Sequence, residues 1–281
     1  MLERYIKFEL LNGLTETTVN KYKADIERFI KYVELKENTR NIEELEEEQV
    51  KEVLKLYIRK LEKDNYKPST INGKVVIINK FLKFIGSGVK GKGVRTQKKI
   101  YIDNVPTEGE YKRLLEQCKG NYRDMAIIVT LANTGVRVSE LLSLTVNEIK
   151  GIRDNTILIK GKNKYREVFF SNKVINVLNN YIENHRLNTD ERFLFTGKQG
   201  ALKRQAINKI LQKYARRGHI KKYKAHPHAL RHFFGKRLAE QGVSLDVIQI
   251  YLGHENITTT SIYTKRSKRE LLGTLEREFF V

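Results

Sequence analysis

The 281-residue chain reads as a mainly α protein with a small antiparallel β-sheet, divided into two domains. Three observations carry that expectation. Apolar residues recur at helical spacing along most of the chain. Two strand-like runs, residues 156–160 (TILIK) and 165–170 (YREVFF), flank the turn Gly161-Lys162-Asn163-Lys164 and predict a hairpin. The stretch GSGVKGKGVRTQKK, residues 86–99, has four glycines, five basic residues and no apolar period, so it reads as a flexible cationic connection. The expected division is a helical domain over 1–86, a basic linker over 87–103 and a second domain over 104–281. The chain is long enough for each domain to hold its own core.

The elements follow in order. Residues 14–34 place Val19, Tyr22, Ile26, Phe29, Ile30 and Val33 on one stripe, with Thr15 or Thr17 as cap. A second helix over 47–62 aligns Val50, Val53, Leu54, Tyr57 and Leu61. Pro68-Ser69-Thr70 starts a third, with Ile71, Val75, Ile78, Leu82 and Ile85 in register. With a short helix near the N-terminus, this is an all-α bundle of about four helices. Past the linker, Thr107 and Glu110 have capping-box spacing. The next helix carries Met125, Ile127, Ile128 and Leu131 and ends at Asn133-Thr134-Gly135. Arg137 then sits at a turn, with Ser139 placed to cap the following helix and Glu140 close enough to orient the arginine. After the hairpin, Ser171 caps a helix carrying Val174, Val177 and Leu178. Residues 192–196 (RFLFT) read as a short strand, and 203–217 as a basic amphipathic helix suited to a groove or a phosphate backbone.

Composition narrows the function. The formal net charge is +21 with 31% charged residues, and a folded chain with that excess repels itself unless it meets a polyanion. No long apolar run and no signal-peptide pattern at the N-terminus (MLERYIKFELLNG) speak for a membrane, so nucleic acid is the expected partner and the cytoplasm the expected compartment. Cys118 is alone, which excludes an internal disulfide and a cysteine-cluster metal site; no HExxH stands in the chain either, and neither metal nor cofactor is expected.

Chemistry concentrates between His226 and Tyr263, which hold four of the six histidines. His228 and Arg231 are three apart and project from one helix face. Together they offer a proton-transfer group and a fixed cation to one small anion. Leu252-Gly253-His254 reads as a helix end with Gly253 in the left-handed position. Tyr263 follows on a short segment.

Taken in order, TGVRVSELLSL around Arg137, HPHALRHFF around His228 and Arg231, and LGHENITTTSIYT around His254 and Tyr263 resemble the tyrosine recombinases, the phage-integrase family. The chain is similar in size to compact Xer-like members and to transposon resolvases. The resemblance implies a two-domain C-shaped DNA clamp, with a SAM-like helical core-binding bundle and a C-terminal catalytic domain. It implies that Arg137 and Arg231 clamp the scissile phosphate, that His228 and His254 assist it, and that Tyr263 is the nucleophile. The hairpin lysine is matched less well, because GKNK is one residue shorter than the family turn. Lys162, directly after the glycine, is favoured, with Lys164 as alternate. The implied partner is double-stranded DNA and the implied assembly a homotetramer on two DNA sites, with an accessory protein or partner recombinase open. Residues 266–281, RSKRELLGTLEREFFV, carry an apolar face that suits packing on their own domain or on a neighbouring protomer, and the resemblance implies the neighbour.

These residue types suit phosphoryl transfer. A phosphodiester gains negative charge on its equatorial oxygens as it becomes pentacoordinate, and guanidinium forks match those oxygens while staying charged. Their preorganised field is the largest expected catalytic effect. A tyrosine hydroxyl, with an ordinary pKa of about 10, must lose its proton during attack, and a histidine can take it. The hairpin lysine is the natural donor to the leaving 5′-oxygen. A 3′-phosphotyrosyl bond then stores the energy of the cut backbone, and strand exchange through a Holliday junction needs no metal or nucleotide. Two other functions fit parts of the sequence: DNA relaxation like that of a type IB topoisomerase, and non-catalytic DNA binding. The target site, and the choice among element integration, transposon resolution and chromosome-dimer resolution, are not written in these motifs.

Overall fold

A computed structural model of the chain describes residues 1–39, 41–95, 103–161, 165–187, 192–253 and 260–264. The chain forms two units, Met1–Lys98 and Lys99–Val281. It is mainly α with a small antiparallel sheet.

The first unit packs α1 (Leu2–Leu11), α2 (Glu16–Glu37), α3 (Glu47–Lys63) and α4 (Pro68–Phe84) around Ile26, Phe29, Val53, Ile78 and Phe81, all fully buried. The helix starts follow local chemistry. Thr15 occupies the N-cap position of α2, Glu46 and Gln49 form a capping box on α3, and Pro68 opens α4, where a missing N–H costs nothing. The apolar stripes read from the sequence are the buried faces.

The stretch after α4 departs from the expected free linker. Asn79 donates its amide N–H to the Gly91 carbonyl (2.9 Å) and accepts the Gly91 N–H (2.9 Å). Two turns earlier on the helix, Asn72 pairs with Val94 in the same way (3.0 and 2.7 Å). Each side-chain amide stands in for the neighbouring strand of a ladder, so residues 88–94 lie along the bundle while Lys90, Lys92 and Arg95 stay exposed. Glycine-rich composition predicts freedom, and it does not reveal that two asparagines wait on the preceding helix.

The second unit is built on α6 (Tyr122–Thr134) and α11 (Pro227–Glu240), which pack together at its centre. Around them stand α5 (Glu108–Glu116), α7 (Val138–Ser143), α8 (Val146–Lys150), α9 (Asn172–Asn180), α10 (Arg204–Arg217) and α12 (Leu245–Leu252). Thr107 and Glu110 form the expected capping box at α5. The hairpin pairs β1 (Thr156–Lys160) with β2 (Tyr165–Phe169), in register from Thr156 opposite Phe169 to Lys160 opposite Tyr165. Ile157, Ile159 and Val168 face the core.

Two local expectations fail. Ser139 does not cap α7: Arg137 is the N-cap residue, and the Glu140 carboxylate accepts its backbone N–H at 2.6 Å. RFLFT is not a strand. Leu194 and Phe195 are buried for packing, Phe193 makes an isolated bridge to Thr145, and the short ladder pairs β3 (Thr196–Gly197) with β4 (Gly200–Ala201). An apolar run of this length fills a core equally well without a ladder. Among the described residues no helix is long and apolar enough to cross a membrane.

Candidate active site

The site grows from three chain segments that meet: the turn after α6, the C-terminus of α12 and the middle of α11. Gly135 ends α6 with φ +63°, a left-handed conformation that glycine adopts without strain. A side chain there would also collide with Leu252 and Phe234, each 2.7 Å from an added Cβ. The turn aims the Gly135 carbonyl at α11 and delivers Arg137 two residues later. Gly253 ends α12 in the same left-handed way, φ +59°, as its sequence position suggested.

His226 starts α11 by accepting the Ala229 N–H on its Nδ1 (3.1 Å), and Pro227 follows at the first helical position. Arg231 lies one turn in and is 3% exposed. It donates to the Gly135 carbonyl at 2.6 Å and to the Leu252 carbonyl. Arg137 has its side chain 45% exposed, and donates to Glu140 Oε1 (2.8 Å) and to the Gly253 carbonyl (3.1 Å). The two arginines of the sequence motif therefore hang from adjacent carbonyls of one helix end. Those carbonyls fix geometry without cancelling charge. Burial first, then the charges of Arg137 and Arg166, pull the Arg231 pKa down to about 10. A guanidinium so placed gains from an added anion.

Glu140, 1% exposed, anchors the arrangement. Burial alone would raise its pKa. The forked hydrogen bonds of Arg166 (3.1 and 2.8 Å) and those of the Arg137 backbone and guanidinium prevail and hold it at about 2.

His228 is on the exposed side of α11. Desolvation lowers its pKa, and the positive charges of Arg231, His226, Arg137 and Arg204 lower it further, so its ring is mostly neutral at pH 7. Its ring meets that of His232 edge-to-face, with centroids 4.2 Å apart.

Tyr263 arrives on a short 3₁₀ turn, Ser261–Thr264, and packs with Ile248 and Leu252. It is 3% exposed, and its hydroxyl lies 3.0 Å from His232 Nδ1. Burial pushes its pKa up to about 12 against the opposing pull of Arg231. The ring rests on Gly235, where an added Cβ would stand 2.8 Å from Cζ.

The structure thus brings Arg137, Arg231, His228 and Tyr263 into one neighbourhood. Lys162, Lys164, His254 and the segment 266–281 lie outside the described residues. Sequence reasoning missed Arg166, His232 and Gly235. His232 carried a signal, since it is four residues from His228 and shares its helix face. Arg166 carried one as well, being a cation at an inward-facing strand position, in register with Ile159.

Comparison with known proteins identifies the family of the chain. The profile of the phage integrase family matches residues 104–270. The tyrosine recombinase XerD of Staphylococcus haemolyticus is 28% identical over 96% of this chain and 95% of its own length. The TnP I resolvase of Bacillus thuringiensis is 29% identical over 97% of this chain and 96% of its own. Among solved structures, a XerH site-specific recombinase bound to palindromic difH substrate in a post-cleavage complex superposes with a TM-score of 0.70. It is 22% identical, and the match covers 98% of this chain and 83% of that one.

Proposed function

This chain belongs to the phage integrase family, and on that premise we propose how its residues divide the work of a site-specific tyrosine recombinase, an enzyme that cleaves and rejoins DNA. Arg137 and Arg231 clamp the non-bridging oxygens of the scissile phosphate. The observation that carries this reading is their suspension from the neighbouring carbonyls of Leu252 and Gly253. Arg231 is held by neutral carbonyls, and the Glu140 carboxylate that Arg137 meets is shared with Arg166, so the cluster keeps a net positive charge for the charge that develops in the transition state.

Tyr263 Oη attacks phosphorus as the bond to the 5′-oxygen breaks. The phenolic proton leaves with the attack, and a neutral histidine such as His228 can take it. Lys162 supplies a proton to the leaving 5′-oxygen. The 3′-phosphotyrosyl bond conserves the phosphodiester energy, so the reverse attack by a 5′-hydroxyl reseals the strand and regenerates the phenol. Tyr263 in its docked state is buried and protonated, so cleavage requires its turn to leave the Gly235 face and present the hydroxyl to DNA.

Strand exchange between two duplexes through a Holliday junction calls for four such sites. The apolar face of residues 266–281 supports a homotetramer held by that segment. Sedimentation of the complex on paired sites tests it, and two protomers for each pair of duplexes is the refuting count.

The chemistry is tested with a nicked duplex that traps the covalent product. The unsubstituted chain forms a denaturant-resistant adduct, while Tyr263→Phe binds the same duplex and forms none. An adduct with Tyr263→Phe removes Tyr263 as nucleophile.

A further inference from the structure

Arg166 occupies a position that a strand of this kind ordinarily fills with an apolar side chain. On β2 it alternates with Val168 toward the core, and it stands opposite Ile159 of β1. Its side chain is only 14% exposed. A guanidinium brought out of water loses its hydration, and only well-matched acceptors offset that loss. Here they are matched in a particular direction. Nε and Nη2 fork onto both oxygens of Glu140, at 3.1 and 2.8 Å. Nη1 donates to the Tyr251 carbonyl at 3.1 Å. The stem lies against Gly253, where an added Cβ would stand 2.5 Å from Arg166 Cδ.

Each of these partners is itself joined to the phosphate clamp. Glu140 holds Arg137 through its backbone N–H and its guanidinium. Tyr251, Leu252 and Gly253 are consecutive, and their carbonyls take Arg166, Arg231 and Arg137 respectively. Glu140 by itself could rotate about its terminal bond and carry Arg137 with it. The Arg166 fork fixes the carboxylate plane, and its third donor ties that plane to the helix end from which both clamp arginines hang.

We propose that Arg166 is a positioning residue for DNA cleavage, setting the spacing of Arg137 and Arg231 through Glu140 and the end of α12 without touching the phosphate itself. The inference rests on the clamp role given above to Arg137 and Arg231. It also makes β2 a mechanical link. The strand that leaves the hairpin tip, where Lys162 and Lys164 stand in the sequence, is fastened to the clamp four residues after Lys162. Lysine substitutes only in part, because a point charge keeps the countercharge to Glu140 and lacks the fork that grips two carboxylate oxygens and a carbonyl together.

The experiment is a double-mutant cycle read by single-turnover adduct formation on the nicked duplex, with equilibrium DNA affinity and thermal melting measured alongside. A misplaced reacting group costs on the order of 100-fold in rate. Arg166→Ala is therefore expected to slow adduct formation by about that factor while duplex affinity changes less than about twofold, with Arg166→Lys in between. In the Arg137→Ala background, the same change is expected to cost less than about threefold more, since the spacing it sets between two arginines no longer exists. Should Arg166→Ala fail to fold, Arg166→Lys completes the same cycle. Equal losses in both backgrounds mark a merely structural residue and overturn the proposal, as does cleavage at the unsubstituted rate. An unsubstituted chain that forms no adduct overturns the proposed function, and this inference with it.

Discussion

Gly235→Ala bears directly on the docking of Tyr263. The added Cβ would lie 2.8 Å from Tyr263 Cζ and 2.9 Å from both Cε atoms. Carbon atoms pack at about 3.5–4.0 Å, so the phenol end of the ring must retreat by roughly 0.7 Å or more. Overpacking of this kind costs about 1–3 kcal/mol. Alanine also stabilises a helix interior by about 1 kcal/mol over glycine. That gain is the same whether the tyrosine is docked or free, so the steric cost falls on the docking equilibrium alone and shifts it about 5- to 150-fold toward release. A released phenol regains water, and its pKa falls from about 12 toward the ordinary 10. At pH 8 the phenolate fraction of that residue then rises by up to about 100-fold. The assay is nitration at pH 8 with mass mapping of the peptide that holds Tyr263, using Tyr5 and Tyr57 of the first unit as internal standards. Modification of Tyr263 is expected to accelerate at least about fivefold with the standards unchanged. Equal rates in the variant and the unsubstituted chain would refute the docking argument, since a ring that yields to a methyl group at no cost was not held by Gly235.

Two further outcomes follow from the same geometry. Glu140→Gln leaves Arg166 with a buried guanidinium and no counter-charge, so the second unit loses about 3 kcal/mol at pH 7. The folded pKa of Glu140, about 2, is depressed from the ordinary 4.5, so its contribution is present above 4.5 and disappears as pH falls toward 2. Urea unfolding of that unit, followed by peptide-resolved hydrogen exchange, should show the two proteins converging across that window; a loss under about 1 kcal/mol at pH 7 refutes the reasoning. For the general acid, a substrate with sulfur in place of the bridging 5′-oxygen needs no proton on its leaving group. Lys162→Ala should be slow on ordinary DNA and restored on the sulfur substrate, and the same pattern in Lys164→Ala would move the role by two residues.

The sequence by itself determined the helices, because each buries one stripe and a stripe is written at local spacing: Val19 to Val33, Val50 to Leu61 and Ile71 to Leu82 all form buried faces. It determined the hairpin, whose two strands are separated only by their own turn. It also placed Arg137, Arg231 and Tyr263, because their motifs are contiguous strings. Only the tertiary structure decided how those strings meet. Arg166 reaches Glu140 across 26 positions, and Tyr263 reaches His232 across 31. Asn79 and Asn72 claim the glycine-rich stretch from 12 and 22 positions away. Arg137 caps α7 in place of Ser139, and the Glu140 that accepts its N–H is held in turn by Arg166 of β2. The division has one physical cause. Periodicity and capping act within a few residues and leave a local pattern. A buried hydrogen bond between distant segments is chosen by packing, and packing exists only once the chain has folded.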